Sequence, residues 1–210
     1  MNSLLYNTLM LKIVQAPHAV LTKGVREVKK IDKKIRELVY DMEETLIEQV
    51  DPQGVGLAAP QINEDLAIFI IKPSLKAETM VFINPKIVEM SPPRTVGQLK
   101  SVKISGQENG SDSNRLQPIS TERKASEDIK LEGCLSIPRI WGPVTRNMKI
   151  LLEYQDLTGE KHTEWFAGFK SVIIQHEMDH LQGVLFTERV LEQKGKLYQE
   201  KDGELEKIEG

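Results

Sequence analysis

The stretch Gln175-His176-Glu177-Met178-Asp179-His180-Leu181 decides how the rest of this sequence is interpreted. It lies in an apolar run that predicts an α-helix. Because His176 and His180 are about one helical turn apart, they share a face and can bind the same metal ion. Glu177 follows the first histidine, so its carboxylate can lie beside the ion as the base for a metal-bound water. Two buried histidines that only form hydrogen bonds are the alternative, and the carboxylate between them favours a metal site.

The composition indicates one domain of ordinary globular type. The chain has 210 residues, of which 40% are hydrophobic, and this suits a single domain with its own core. A net charge of −3 and a pI near 5.9 give no basic field for nucleic acid or an anionic membrane. Cys134 is the only cysteine, so no intramolecular disulfide is possible. No apolar run reaches the roughly 18 residues of a membrane span, and we expect a cytoplasmic protein.

A second helix precedes the predicted strands. Between about Val28 and Gln49, apolar residues recur at steps of three and four, which predicts an amphipathic helix. The Asp51-Pro52 pair ends it. The run Gly54–Gln61 follows, and its small residues allow close approach of the backbone to another group, although a tight turn before a strand is an equal alternative.

The predicted strands are apolar or alternating, and two pairs are expected to be antiparallel. The first pair is residues 66–71 with 80–88, and the second is a hairpin of 148–156 with 162–166. A strand or an extended entry is predicted at residues 12–14, and a last short strand is predicted at residues 185–186.

Two regions are expected to flank a single catalytic domain of residues 11–190, and a third is expected to interrupt it. Residues 1–10 form an N-terminal extension. Residues 91–130 contain seven serines, three prolines and no aromatic residue, which predicts a mobile insertion. Residues 191–210 are strongly charged, and we predict a frayed, solvated helix there.

A metal with two imidazole ligands needs at least one more protein donor. Cys134 offers a thiolate, a soft donor suited to iron(II), cobalt or zinc, although a buried cysteine is also common as a small core residue. His18, His162 and several carboxylates are alternative donors. Three protein ligands and one open position are typical of a catalytic site rather than a structural one.

Three separated motifs give the sequence a family resemblance. Gly54–Gln61 reads Gly-Val-Gly-Leu-Ala-Ala-Pro-Gln, and Glu132–Ser136 reads Glu-Gly-Cys-Leu-Ser. The histidine motif is the third along the chain. In these three motifs and their order the chain resembles the peptide deformylase family. The resemblance extends from about Ile13 to Val190, without the insertion. The resemblance implies an α+β fold, with antiparallel strands packed around the metal-binding helix that carries the histidine motif. It also implies removal of the formyl group from the N-terminal methionine of new polypeptides.

The resemblance assigns the metal centre residue by residue. Cys134, His176 and His180 become the ligands of one divalent ion, and Glu177 becomes the catalytic acid and base. The expected ion is ferrous iron in cells, with zinc, nickel or cobalt as alternatives. The implied substrates are N-formylmethionyl nascent peptides, with a transient ribosome contact and no membrane partner.

The substrate contacts follow from the same resemblance. The Gln61 side chain and the backbone N–H of Leu135 become donors to the formyl oxygen, and the backbone of Gly56 binds the substrate amide. Candidates for the pocket that holds the methionine side chain are Val55, Val172 and Ile173.

The resemblance also suggests contacts that support the metal ligands, and two positions differ from the family pattern. Glu132 is expected to pair with Arg146, and Asp179 belongs to the family motif, although a solvated helix face would also explain it. Trp141 stands where a polar or basic residue is common, and Thr145 stands where proline is common. These two positions bear on recognition of the peptide backbone more than on the chemistry.

Two other functions are compatible with the histidine motif. A zinc endopeptidase uses the same water chemistry, but it gives no reason for Cys134 or Gln61. A metal-stabilised binding protein would need no base, and Glu177 would then only solvate the helix.

Overall fold

The computed structural model describes residues 10–91 and 131–209. The predicted extension, except Met10, and the predicted insertion, except Ser91, lie outside the described residues. In chain order the helices and strands are α1 (Lys33–Ile47), β1 (Gly56–Ala58), β2 (Ile68–Ile71), β3 (Met80–Met90), β4 (Leu131–Cys134), β5 (Ile137–Pro143), β6 (Lys149–Gln155), β7 (Lys161–Ala167), α2 (Phe169–Leu181), α3 (Phe186–Glu192), β8 (Tyr198–Lys201) and β9 (Glu204–Lys207). Short 3-10 helices occupy Ala19–Thr22 and Ala59–Ile62.

Two antiparallel sheets contain these strands. The five-stranded sheet has the order β1-β2-β3-β6-β7, and the four-stranded sheet has the order β4-β5-β8-β9. Both predicted strand pairs are present, because β2 pairs with β3 and β6 pairs with β7. The predicted α+β class with antiparallel strands is therefore confirmed. None of the helices in the described ranges is both long enough and apolar enough to cross a bilayer.

Helix α1 is shorter than predicted at its N-terminal end. Its start is fixed by Asp32, whose side chain accepts hydrogen bonds from the backbone N–H groups of Lys34 and Ile35, at 3.0 and 3.2 Å. Val28 was predicted to be helical, but it lies outside the helix, and its backbone N–H donates to Oδ1 of Asn84 at 2.7 Å. A capping residue and a tertiary contact thus override the apolar period before Lys33.

Helix α2 packs against one face of the five-stranded sheet. Its buried apolar residues are Ile173, Ile174, Met178 and Leu181, which join Phe69, Phe82 and Phe166 of the strands in one cluster. The rings of Phe69 and Phe82 stack at 4.7 Å. Phe169 is apolar, and its position in this run would suggest that it packs into the sheet, but its side chain is 53% exposed. It occupies the first helical position, where side chains tilt toward and beyond the helix N-terminus.

The C-terminal region differs most from its prediction. Phe186 begins α3 rather than a strand, and the Glu188 carboxylate accepts the backbone N–H of Leu185 at 3.1 Å. The predicted frayed helix is also wrong, since β8 and β9 form a hairpin. Its turn, Asp202-Gly203, has φ values of 51° and 83°, the conformation that an Asp-Gly pair favours in hairpins. The charged residues of this region therefore lie in strands rather than in a helix.

Residues 12–14 form no strand, and the N-terminal segment instead joins two loops. The backbone N–H of Val14 donates to the carbonyl of Gln61 at 2.8 Å. The backbone N–H of Ala16 donates to the carbonyl of Ser136 at 2.9 Å. The prediction of a strand here is wrong because the partners belong to a 3-10 helix and a turn rather than to a sheet edge.

Candidate metal centre and peptide site

Three of the predicted donors converge at one point. The thiol of Cys134 at the end of β4 and the rings of His176 and His180 on α2 place one ligand atom each within 4.8 Å of one another. Sγ of Cys134 lies 3.3 Å from Nε2 of His180. The two imidazole rings meet edge to face, with their centroids 5.1 Å apart. A soft thiolate and two imidazoles are a donor set that iron(II), cobalt and zinc accept.

The electrostatics of Cys134 favour the thiolate, which is the form that binds metal. Burial alone would raise the pKa of this thiol, but the charge of His180 and hydrogen bonds with both histidines lower the pKa to about 5. The backbone N–H of Ser136 also donates to Sγ, at 3.4 Å. A turn links β4 to β5 at residues 135–136, and a register shift after Gly133 places the thiol there.

The ring of His176 is oriented by a buried ion-pair network. Its Nδ1 lies 3.1 Å from Oε2 of Glu132. Arg146 donates two hydrogen bonds of 2.8 Å to the Glu132 carboxylate. Its remaining nitrogen, Nη1, donates to Asp179 at 2.5 Å. The expected pair of Glu132 and Arg146 is thus formed, and Asp179 is buried rather than on a solvated helix face.

Glu177 lies beside the three donors and is 3% exposed. Burial is the main reason why the pKa of its carboxyl is raised to about 7. Among the described residues no hydrogen-bond partner reaches its Oε2 or the Nδ1 atom of His180. A Cβ built on Gly56 would lie 2.2 Å from Oε1 of Glu177, so β1 passes against this carboxylate where only glycine fits.

Gln61 is anchored next to the thiol by the 3-10 helix that follows β1. Its Oε1 accepts the backbone N–H of Ala58 at 2.9 Å. This contact directs its amide nitrogen toward Sγ of Cys134 at 3.5 Å and Oγ of Ser136 at 3.3 Å. Leu135 lies in the turn beside them, and its carbonyl accepts a hydrogen bond from the side chain of Gln15 at 3.1 Å.

The three candidates for the methionine pocket lie near Gly56 and in α2. Val55 precedes β1 and packs, partly buried, on the core cluster of α2. Ile173 is 3% exposed, and its Cγ2 would be 3.0 Å from a Cβ on Gly56. Val172 is half-buried one residue earlier in the helix. Ile173 therefore packs directly against the strand that is predicted to bind the substrate amide.

Both departures from the family pattern contact the C-terminal elements. The ring of Trp141 covers Gly133, where a Cβ would lie 2.7 Å from it, and its N–H donates to Glu200 of β8 at 3.0 Å. The backbone N–H of Thr145 donates to Oε1 of Gln193 at 2.7 Å. Proline has no N–H and could not form this bond. These residues join the strands around Cys134 to residues 193–200.

Sequence reasoning missed two residues that support the centre. The Gln175 side chain accepts the backbone N–H of Asn147 at 3.0 Å and donates to its carbonyl at 2.7 Å, which holds the residue after Arg146 against α2. Because Gln175 belongs to the histidine motif, the sequence could have indicated its supporting role. Arg189 pairs with Asp179 at 2.7 Å, and no local sequence pattern indicates a contact between residues separated by nine others.

A second cluster of possible donors has a local explanation. Asp156, Glu160 and His162 also have ligand atoms within 4.8 Å of one another. Oδ1 of Asp156 accepts the backbone N–H groups of Thr158 and Glu160, and Oδ2 contacts His162. These are the contacts of a hairpin turn between β6 and β7. His162 is thus separate from the centre of Cys134, and so is His18, which caps the first 3-10 helix.

The chain is similar to known proteins over most of its length. A profile of the polypeptide deformylase family matches residues 10–196. The peptide deformylase of Desulfotalea psychrophila is 33% identical over 196 residues, covering 91% of this chain and 94% of the relative. The crystal structure of the Thermotoga maritima peptide deformylase is 28% identical, with a TM-score of 0.65, and the match covers 86% of this chain and 97% of that one. A peptide deformylase of Acinetobacter baumannii bound to Met-Ala-Ser is 25% identical, with a TM-score of 0.64 and coverage of 87% and 99%.

The two histidines of α2 thus meet the thiol at the end of β4. The fold and the sequence around them are shared over nearly the whole length of these relatives. The chain therefore belongs to the peptide deformylase family of hydrolases.

Proposed function

We propose that the chain removes the formyl group from the N-terminal formylmethionine of newly made polypeptides and releases formate. The observation that carries the proposal is the convergence of Cys134, His176 and His180 beside the buried carboxylate of Glu177. The histidine motif alone would suit a zinc endopeptidase equally well. The thiol and the amide of Gln61 beside it favour the deformylase.

We propose that Cys134, His176 and His180 hold one divalent ion. Their fit is supported by the pKa of the thiol near 5 and by the hydrogen bond that fixes one nitrogen of His176 on Glu132. When bound, such an ion supplies Lewis-acid polarisation of the formyl oxygen and lowers the pKa of a water to about 7. Ferrous iron is our proposal for the ion in cells, and the donor set also suits zinc, nickel or cobalt.

In the proposed mechanism, Glu177 moves the protons of the hydrolysis. We propose that it accepts a proton from the water whose oxygen adds to the formyl carbon. It then returns this proton to the amine as the C–N bond breaks, so that formate and a free N-terminus result. A carboxyl with a pKa of about 7 can both accept and donate a proton near neutral pH.

Two donors would meet the negative charge that grows on the formyl oxygen. They are the amide nitrogen of Gln61 and the backbone N–H of Leu135. The hydrogen bond from Ala58 fixes the Gln61 amide in advance, so little reorganisation is needed when the charge forms. Loss of one such donor costs about 10²-fold to 10³-fold in kcat in a comparable hydrolase.

The backbone of Gly56 would bind the substrate amide, and Val55, Val172 and Ile173 would surround the methionine side chain. The close approach of β1 to Glu177 supports this placement, since a peptide lying along Gly56 would have its formyl end near the carboxylate. The similar Acinetobacter baumannii protein was crystallised with Met-Ala-Ser, which begins with methionine. A cytoplasmic location and a transient ribosome contact remain predictions.

The test offers a formyl-Met peptide and the same peptide without the formyl group to the protein as purified. We expect formate from the first and no cleavage of the second. Internal cleavage of the second with no formate from the first would establish an endopeptidase instead.

Two variants separate the proposed roles. Glu177→Ala should keep the metal but lose deformylation, because the base is not a ligand. Normal turnover by this variant would contradict the mechanism and favour a non-catalytic role for Glu177. Cys134→Ala should lose most of the metal, and full occupancy by metal analysis would remove the thiol from the ligand set.

A further inference from the structure

A continuous chain of charged contacts runs from the half-exposed face of α3 to the ring of His176. Arg189 donates to Oδ1 of Asp179 through Nη2 at 2.7 Å and through Nε at 3.2 Å. The other oxygen of Asp179 accepts Nη1 of Arg146 at 2.5 Å. Arg146 then holds Glu132, which lies 3.1 Å from Nδ1 of His176. Four successive contacts therefore connect a residue outside the centre to a proposed metal ligand.

The charge balance of this chain depends on Arg189. The side chains of Glu132, Arg146 and Asp179 are 11%, 7% and 8% exposed, so two buried carboxylates share one buried guanidinium. Arg189, whose side chain is 28% exposed, supplies the second positive charge. Without it, Asp179 and Glu132 would compete for Arg146, because a buried carboxylate without a partner is strongly unfavourable. Arg146 contacts the two carboxylates through different nitrogens, and Arg189 holds the Asp179 carboxylate from its other oxygen.

We propose that Arg189 is a positioning residue for the metal centre. Through Asp179 it holds Arg146 where both of its bonds to Glu132 form, and Glu132 in turn fixes the ring orientation of His176. The inference rests on the proposed function of this site, because it takes His176 to be a metal ligand. Partners that orient a ligand imidazole commonly change metal affinity by about 10-fold to 100-fold when they are removed.

The experiment follows metal retention in the full-length protein loaded with Co²⁺. The rate at which cobalt passes to a chelator is measured by the absorption of the cobalt–thiolate centre, alongside kcat and KM for a formyl-Met peptide. Arg189→Met should release cobalt about 10-fold faster than the unmodified protein. Arg189→Lys keeps the charge but not the two-pronged geometry, and it should restore part of the slow release.

Glu192→Gln is the matched control. It removes the other ion pair of Arg189, the 3.0 Å contact with Glu192, and leaves Asp179 untouched. We expect its cobalt release to equal that of the unmodified protein. A change as large as that of Arg189→Met would overturn the inference, because the effect would then arise from α3 in general.

Two further measurements separate positioning from a simple loss of stability. Arg189→Met should lower the melting temperature of the cobalt-loaded protein more than that of the metal-free protein, and an equal fall in both would refute the proposal. In the background of Asp179→Asn the same substitution should add little, since the carboxylate that needs Arg189 is gone. If Arg189→Met does not fold, the melting temperatures of cobalt-loaded and metal-free Arg189→Lys are compared in the same way. Failure of the unmodified protein to bind cobalt or to release formate would instead refute the proposed function.

Discussion

Gly56→Ala should strongly reduce deformylation without removing the metal. A Cβ at this position would lie 2.2 Å from Oε1 and 2.8 Å from Cδ of Glu177, and 3.0 Å from Cγ2 of Ile173. The backbone of Gly56 is not in the left-handed region, so alanine meets only the clash. To regain an ordinary contact of 3.4 Å the carboxylate must move by about 1.2 Å. A displacement near 1 Å in a catalytic constellation costs about 100-fold in rate, or about 2.7 kcal/mol of transition-state stabilisation.

The assay measures formate release from a formyl-Met peptide together with the metal content of the purified protein. Two other glycines supply controls. Gly24→Ala meets nothing within 4 Å and should change neither activity nor metal content. Gly54→Ala meets Leu46 of α1 at 2.6 Å, so it should lower stability while the metal stays bound. An activity of Gly56→Ala within threefold of the unmodified protein would refute the placement of Glu177 against β1.

Two other predictions concern the surroundings of the centre. Burial alone would raise the pKa of Glu132, but hydrogen bonds from Arg146 and His176 lower it to about 2 from an ordinary 4.5. Because the folded pKa is depressed, the stabilisation is complete above about pH 4.5 and disappears as the pH falls toward 2, by about 3 kcal/mol in total. Unfolding measured from pH 5 to pH 2.5 should therefore show a shallower pH slope for Glu132→Gln, and equal slopes would contradict the pairing. Trp141→Phe keeps a ring over Gly133 but loses the bond to Glu200, which should cost about 1 kcal/mol and speed amide exchange in β8, and unchanged exchange would show that the indole N–H does not hold the hairpin.

Local sequence patterns determined the elements that carry the chemistry. The apolar run around His176 and His180 predicts a helix. At a spacing of four residues, the two rings share one face of that helix. The alternation along β6 and β7 predicted their pairing in the same way. The resemblance selected Cys134 as the proposed third donor, because no local pattern connects this residue to α2.

The tertiary structure alone decided the C-terminal region and the support of the centre. Residues 198–207 have enough charge to favour a solvated helix, but pairing of Tyr198 with Trp141 on β5 satisfies their backbone groups as strands. Phe186 begins a helix because its side chain is buried beside Cys134 rather than in a sheet. Such contacts join residues that are far apart in the chain, so the local periodicity of the sequence does not predict them.

The same distinction between local sequence pattern and tertiary structure applies to the candidate metal centre. The sequence by itself determined which groups are able to bind a metal and to move a proton, because those properties belong to thiol, imidazole and carboxylate side chains in a given order. Only the folded chain decided that Asp179, Arg146 and Arg189 would share one buried network and that Gly56 would touch Glu177. Burial and charge pairing depend on where distant segments meet, and that is settled by packing rather than by local pattern.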